Sequence, residues 1–219
     1  MNKRLLEVAK LIDKCNMVID VGCDHALLSI FLIQNKICKN VINIDCNVLP
    51  LKNGEKNVKK IGLEKNIKFI LNNGLSNLNI GDVVDYITIC GMGSQNIIEI
   101  INHSTVNPKK YILQSNNNPP KLRKWLSNNS YKIIDEKIVY ENKIYYEIIM
   151  IEAGDTNIIN DVDLYVGPIL KNNNNLILKD YLLYKYNYLS KYNYNIVNRE
   201  LKEEYEIIKN YCYEKKWIS

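Results

Sequence analysis

The run Met17-Val18-Ile19-Asp20-Val21-Gly22-Cys23-Asp24-His25-Ala26 decides the fold. A short apolar stretch closed by a glycine and followed by a helical pattern is the signature of a buried parallel strand feeding a helix. Working outward, the same unit recurs. Upstream, Leu5, Val8, Ala9 and Ile12 stand at helical spacing and predict an amphipathic helix from Arg4 to Cys15. Downstream, a helix is expected over 26–35, a strand over 41–45 ending in Asp45, a helix over 48–61 with Gly62 as its C-cap, and a strand over 67–71. A fourth strand, 86–90, ends at Gly91, and a helix from Ser94 to Asn102 follows. A fifth strand, 111–114, precedes a helix opened by Pro119 and Pro120, where proline is well tolerated.

The alternation then breaks. Tyr131 to Tyr140 and Ile144 to Glu152 both read as strands, with Glu141-Asn142-Lys143 as the turn between them. Five βα units imply a doubly wound α/β sheet, Rossmann-like and mostly parallel. A terminal antiparallel hairpin is what class I methyltransferase sheets add and ordinary dinucleotide-binding sheets lack. Ala153 to Val166 reads as a linker, punctuated by Gly167-Pro168 and followed by the Asn172–Asn175 run. Two helical stripes come next: Leu178, Tyr181, Leu182, Leu189 and Tyr192, then Ile196, Leu201, Tyr205, Ile208 and Cys212. With Tyr192 to Asn195 as the connection they predict a coiled-coil-like antiparallel α-helical hairpin. The expected division is a catalytic domain over 1–154 and a linker with helical hairpin over 155–219. The tail's tyrosines admit two readings, packing between helices or a platform for stacked bases.

The bulk properties narrow the class. The chain has 219 residues, 47% of them hydrophobic, enough for a folded core. No apolar run approaches the length of a membrane helix, and the charged start Met1-Asn2-Lys3-Arg4 is not a signal peptide, so a cytoplasmic location is expected. Six cysteines form no C-x-x-C pair and only two histidines accompany them, so no metal site is expected. The excess of Asn, Lys, Ile and Tyr is what an AT-rich genome gives by codon usage, so lysine counts say little by themselves. The net charge of +5 lies wholly in residues 1–152, which hold 20 basic and 15 acidic side chains, whereas 153–219 balance at 9 each. That distribution suits either a polyanionic partner for the first region or an ordinary solvated surface.

The loops at the carboxyl ends of the strands carry the chemistry. A phosphate-binding loop after the first strand is rich in glycine; Gly22-Cys23-Asp24-His25 has one glycine, flanked by Asp20 and Asp24. Two carboxylates repel a pyrophosphate but suit S-adenosylmethionine, which carries a sulfonium and an amino group. A tight turn with ordinary caps is the plainer reading. Asp45 is placed to accept ribose hydroxyls, with Cys46 beside the adenine. The amide of Asn73, before Gly74, either bonds the adenine amino group or only shapes a turn. Gly91-Met92-Gly93 exposes backbone amides and leaves room for a base. Gln114 and Asn116 offer uncharged amides to a base edge. His25 either caps the following helix or touches substrate; His103 reads as a surface residue.

Asp-Val-Gly-Cys-Asp-His-Ala at 20–26, Ile-Cys-Gly-Met-Gly-Ser at 89–94, Gln-Ser-Asn with Leu-Arg-Lys-Trp-Leu at 114–126, Tyr146-Glu147, and Glu152-Ala153-Gly154-Asp155 together resemble the bacterial tRNA (adenine-N1)-methyltransferase family. That family modifies adenine 22 in the D-arm of tRNA and joins a class I domain to a C-terminal helical hairpin. The resemblance implies an S-adenosylmethionine-dependent enzyme with Asp20, Gly22, Cys23, Asp24, His25, Asp45, Cys46, Asn73, Gly74, Gly91 and Met92 around the cofactor. It implies a tRNA partner met by Arg4, His25, Met92, Gly93 and Arg123, both arginines being placed to grip phosphates. Asp24, Gln114 and Asn116 are the expected catalytic set: the carboxylate to offset charge developing on adenine, the amides to orient it. Asn73 replaces the family's usual Asp, and Ser115 its usual Pro. A monomer is expected. The alternatives are a methyltransferase for another RNA position or a small molecule, a non-catalytic RNA-binding protein with a retained cofactor fold, and a nicotinamide dehydrogenase, which the single glycine argues against.

Overall fold

A computed structural model describes the chain from Met1 to Ser219 except residues 159, 174 and 193–198. In chain order the elements are α1 (Lys3–Lys10), β1 (Cys15–Val21), α2 (Leu27–Gln34), β2 (Cys38–Asp45), α3 (Val48–Lys60), β3 (Ile67–Leu71), β4 (Tyr86–Met92), α4 (Ser94–Asn102), β5 (Lys110–Ser115), α5 (Pro119–Asn128), β6 (Tyr131–Glu141), β7 (Ile144–Ala153), α6 (Asp161–Tyr165), α7 (Leu176–Leu189) and α8 (Arg199–Glu214). The seven strands form one sheet in the order β3-β2-β1-β4-β5-β7-β6. β1 to β5 are parallel, and β7 pairs antiparallel with both β5 and β6. The strand order reverses between β1 and β4, so a crevice opens at their carboxyl ends.

Each face of the sheet has its own apolar core. Ile19, Ile44, Ile87, Leu113, Leu122 and Ile149 fill one side, and Val18, Leu32, Val41, Ile112 and Ile148 the other. The side chains alternate between faces along each strand, and both faces are covered, which is why the sequence shows near-continuous apolar runs.

Three sequence expectations are corrected. The opening helix stops at Lys10 rather than Cys15, because the Cys15 amide already donates to the Ile37 carbonyl (2.9 Å) and begins β1. The connection from β3 to β4 holds no helix, so there are four helical crossovers in the sheet, not five. Irregular chain makes that crossing, anchored by buried Leu75 and Val84 and by Thr105 Oγ1, which donates to the carbonyls of Leu75 (3.1 Å) and Leu78 (2.9 Å). The stretch expected as a linker contains α6, fixed by a capping box in which Asn160 accepts from the Asp163 amide (3.0 Å) and Asp163 accepts from the Asn160 amide (3.3 Å).

α7 and α8 lie antiparallel: Lys179 sits over Trp217, and Lys185 pairs with Glu204 farther along. Their apolar stripe of Leu178, Leu182, Leu189, Ile208 and Cys212 joins Val166, Leu170 and Ile138 of β6 in a third core. The hairpin is therefore seated on the outermost strand. The expected connection from Tyr192 to Asn195, and Ile196 in the second stripe, fall on or run into residues outside those described.

Candidate active site

β1 brings Asp20 to the mouth of the crevice. It is buried, and Thr88 Oγ1 on the neighbouring strand donates to its Oδ1 (2.6 Å). Burial raises its pKa to about 6, against the lowering pull of the Thr88 bond and the nearby Arg4 charge. Gly22 follows with φ +78°, and a Cβ there would lie 2.5 Å from Met92 Cε. The glycine thus lets the β1 loop touch the β4 loop. Cys23 is buried, and desolvation with three nearby aspartates lifts its thiol to about 12, so it is a neutral wall and not a nucleophile. Asp24 and Ala26 both take positive φ, 45° and 57°, which turns the Asp24 side chain outward to 74% exposure, 3.5 Å from His25 Nε2. The N-cap of α2 is Ala26 and makes no side-chain cap bond, so the reading of His25 as a helix cap fails; the His25 carbonyl instead accepts from Asn57 Nδ2 (3.1 Å).

Asp45 ends β2. Its Oδ1 accepts from the amide (2.8 Å) and side chain (3.3 Å) of Asn47, which fixes the carboxylate at the crevice edge. Beyond β3, Asn72 does the turn-holding expected of its neighbour, donating to the carbonyls of Gly74 (3.0 Å) and Ser76 (2.9 Å). Asn73 is left exposed, with its side chain free of that task. Gly74 is forced by φ +65° and by Ile100, whose Cγ1 would lie 3.1 Å from an added Cβ.

Gly91 is an extra residue in β4. The register with β5 passes from Cys90↔Gln114 to Met92↔Ser115, and Gly91 bulges with φ +79°. Bulges of this kind re-aim chain beside active sites. Two side-chain amides at the end of β5 and just past it clamp it: the Gly91 amide donates to Gln114 Oε1 (3.1 Å), and Asn116 Nδ2 donates to the Gly91 carbonyl (2.7 Å). Arg4, reaching in from α1, donates to the same Gln114 Oε1 and lies 5.3 Å from the Tyr146 ring centre. The next turn is held by Ser94, whose Oγ lies 2.8 Å from Ser115 Oγ and donates to the Asn117 carbonyl (2.7 Å), while Asn117 Oδ1 accepts from the Ser94 amide (3.1 Å). Three glycine-bearing loops and the β5 end thus converge on one crevice at the strand-order reversal.

A family profile of tRNA (adenine(22)-N(1))-methyltransferases matches residues 18–216. The chain belongs to this family. A Bacillus subtilis tRNA (adenine(22)-N(1))-methyltransferase is 32% identical over 185 residues, covering 81% of this chain and 77% of that one. A crystallised Streptococcus pneumoniae protein, a putative tRNA (m1A22) methyltransferase in complex with S-adenosyl-L-methionine, superposes with TM-score 0.88 at 31% identity, over 96% of this chain and 99% of that one. An M. capricolum relative in complex with S-adenosyl-homocysteine gives TM-score 0.85 at 33% identity, over 96% and 97%.

Within this tRNA methyltransferase family member, Asp20, Gly22, Cys23, Asp24, His25, Asp45, Cys46, Asn73, Gly74, Gly91, Met92 and Gly93 all lie at or just beyond the carboxyl ends of β1, β2, β3 and β4, on one edge of the sheet. Three expected roles change. Gln114 is fully buried and spends all its polar capacity: Oε1 on Arg4 and Gly91, Nε2 on the Ser115 carbonyl (2.8 Å) and Asn116 Oδ1 (3.2 Å). It positions the Gly91 bulge and is not free to read a base. Asn116, by contrast, is exposed.

Arg123 is the larger correction. It is 0% exposed, so it cannot grip phosphate. Its Nε (2.9 Å) and Nη2 (2.7 Å) donate to Glu136 Oε1, its Nη2 to Glu147 Oε2 (2.5 Å), and its Nη1 to the Leu164 carbonyl (3.3 Å). Burial alone would lower its pKa, but the two carboxylates raise it above the ordinary guanidinium value. Glu136 Oε2 also accepts from the amides of Ile169 (2.9 Å) and Leu170 (3.1 Å), and Glu147 Oε1 accepts from Tyr181 Oη (2.9 Å). The cluster ties α5, β6, β7, α6 and α7 together. Glu147, a charged residue in the middle of the apolar strand Ile144–Ala153, was the available signal for it. Arg4 also turns inward onto Gln114 and Tyr146, so its phosphate-gripping role gives way to a place in the site wall.

No described helix is long and apolar enough to cross a membrane, and among the described residues no group of three or more His, Cys, Asp or Glu is arranged to hold a metal.

Proposed function

We infer that this chain transfers a methyl group to N1 of adenine 22 in tRNA, with S-adenosylmethionine as donor. The observation that carries the reading is the contact of the Gly22 and Met92 loops beside buried Asp20, at the carboxyl ends of β1 and β4. The residues fit the donor. Gly22 lets Met92 close against the β1 loop, and a loop with one glycine flanked by the Asp20 and Asp24 carboxylates suits a cationic, close-packed ligand and not a phosphate. Asp45 is placed for ribose hydroxyls, Cys46 and Asn73 for the adenine, and the clamped Gly91-Met92 turn for the reactive end. When bound, the donor supplies an electrophilic methyl group on sulfur.

The chain's own residues then align and stabilise. Adenine N1 carries a lone pair and needs no base to become a nucleophile, so alignment is the main demand. N1 lies on the pairing edge, so the base leaves its stack to reach the crevice. Asn116, exposed and bonded to the Gly91 carbonyl, orients it, and Met92, Gly93 and His25 supply the neighbouring tRNA contacts. Asp24 offsets the positive charge that develops on the base, an effect that grows as bound tRNA excludes water from its exposed carboxylate. Residues 1–154 form the catalytic unit and 155–219 help to hold tRNA. The protein works as a cytoplasmic monomer.

The test is methyl transfer from labelled donor to tRNA carrying adenine or guanine at position 22. Transfer only to the adenine form, reduced at least tenfold by Asp24→Ala, is expected. Equal methylation of the guanine form would move the substrate to another RNA position, and absence of donor binding by calorimetry would make the chain a binding module.

A further inference from the structure

We propose that a ladder of tyrosines, exposed at three of its five rings and running from the tip of the β6–β7 hairpin along α7, is a stacking platform for unpaired nucleobases of the bound tRNA. The inference rests on the proposed activity toward tRNA.

The ladder begins at the active-site edge. β7 runs against β5 with Glu147 opposite Ser115, the last residue of β5, so Tyr146, Tyr145 and the hairpin tip lie beyond the carboxyl end of the parallel strands. That is the end on which the crevice opens, and Tyr146 already meets Arg4 there. Tyr140 and Tyr145, paired across the hairpin, have ring centres 4.5 Å apart. Tyr145 contacts Tyr184 at 6.0 Å, Tyr184 lies nearly parallel to Tyr188 at 6.4 Å and 14°, and Tyr188 meets Tyr192 at 5.4 Å. Positions 184, 188 and 192 are one helical turn apart, so the row continues along a single line of α7 and the turn after it.

Burial separates these rings from core tyrosines. Tyr211 is buried in the hairpin core, and Tyr181 is bonded to Glu147. Tyr140, Tyr184 and Tyr188 keep 44%, 59% and 50% of their surface in water. Three exposed rings in one row, joined by half-buried Tyr145 and Tyr192, are costly unless something covers them. Bases are the favoured occupant for two reasons. Extruding an adenine into the crevice unstacks its neighbours, which then need π-faces beside the crevice mouth, where the ladder starts. Charge also argues against a face that grips phosphate along its whole length: Asp180 lies close enough to raise the Tyr145 pKa, though burial is the larger cause, and residues 153–219 have no net charge. Exposed Lys143 and Lys191 bracket the row in sequence and can meet the backbone that carries the bases.

The test uses the full chain without donor, measuring tRNA affinity by fluorescence anisotropy over a salt series, with light scattering for mass. Tyr184→Ala/Tyr188→Ala is expected to bind tRNA at least tenfold more weakly, with an unchanged salt slope, a raised KM for tRNA and kcat within about twofold of wild type. Tyr184→Phe/Tyr188→Phe, which keeps the ring faces, is expected to stay within about threefold of wild type, and a melting curve for each variant separates affinity from folding. Wild-type affinity in the alanine variant overturns the platform, as does an equal loss in the phenylalanine variant or a reduced salt slope. A wild-type dimer that the alanine variant converts to monomer would assign the row to a second copy of the chain instead. Wild-type protein that binds tRNA through the ladder yet leaves adenine N1 unmethylated would defeat the proposed activity and not the platform.

Discussion

Replacing Arg123 tests whether a basic residue that the sequence offers for phosphate is instead a structural tie. Arg123→Met keeps most of the side chain's length and removes its charge and all of its donors. Glu136 and Glu147 then face each other's negative charge in a buried site, since their side chains are 0% and 3% exposed. Breaking a buried ion pair by deleting one partner costs about 3–5 kcal/mol. For a chain of this size each kcal/mol moves the melting temperature by roughly 2–4 °C, so a drop of about 6–20 °C is expected. The amides of Ile169 and Leu170 on Glu136, and Tyr181 on Glu147, still hold part of the cluster, which keeps the fold recognisable at low temperature. Thermal unfolding by circular dichroism reads the shift, and denaturant titration gives the free energy. Arg123→Met/Glu136→Gln/Glu147→Gln should recover stability relative to the single variant, because no unpaired charge remains buried. If Arg123→Met melted within about 2 °C of wild type and lost about one unit of the tRNA salt slope, the buried tie would be refuted and the phosphate contact restored.

Three further outcomes follow from the same geometry. Gly22→Ala should weaken donor binding at least tenfold by calorimetry, since the new Cβ meets Met92 Cε at 2.5 Å in a left-handed backbone position; Gly22→Ala/Met92→Ala should recover only part, because the positive φ persists. Asp20 has a folded pKa raised to about 6 from an ordinary 3.8, so its contribution to stability is present below about pH 3.8 and is lost as pH rises through 6. Asp20→Asn should flatten that slope, making the variant more stable relative to wild type at pH 7.5 than at pH 4 by denaturant titration, while donor affinity falls at the higher pH; a relative stability that does not change with pH would contradict the assignment. Asn116→Ala should lower kcat about tenfold or more through a loosened Gly91 bulge and a lost base contact, with donor affinity within about threefold of wild type; unchanged kcat would remove Asn116 from the site.

The sequence by itself determined the sheet, because its information is local. Apolar runs ending in Gly22, Asp45 and Gly91, spaced by amphipathic segments, name the strands and their order along the chain, and the late hairpin distinguishes this sheet from a dinucleotide-binding one. The loops that line the crevice were legible for the same reason: a parallel sheet presents the carboxyl ends of its strands on one edge. What a side chain spends its hydrogen bonds on is not local, and only the tertiary structure decided it. Gln114 and Asn116 look alike in sequence, yet one is buried with every polar atom engaged and the other is exposed. Asn72, next to Asn73, took the turn-holding task because its amide reaches two carbonyls ahead of it. Arg123 is surrounded by Glu136 and Glu147 from two later strands, a meeting that spacing along α5 cannot show. The tyrosines divide in the same way: helical periodicity places them on α7 and α8, but whether a ring is core or surface depends on what the β6–β7 hairpin covers.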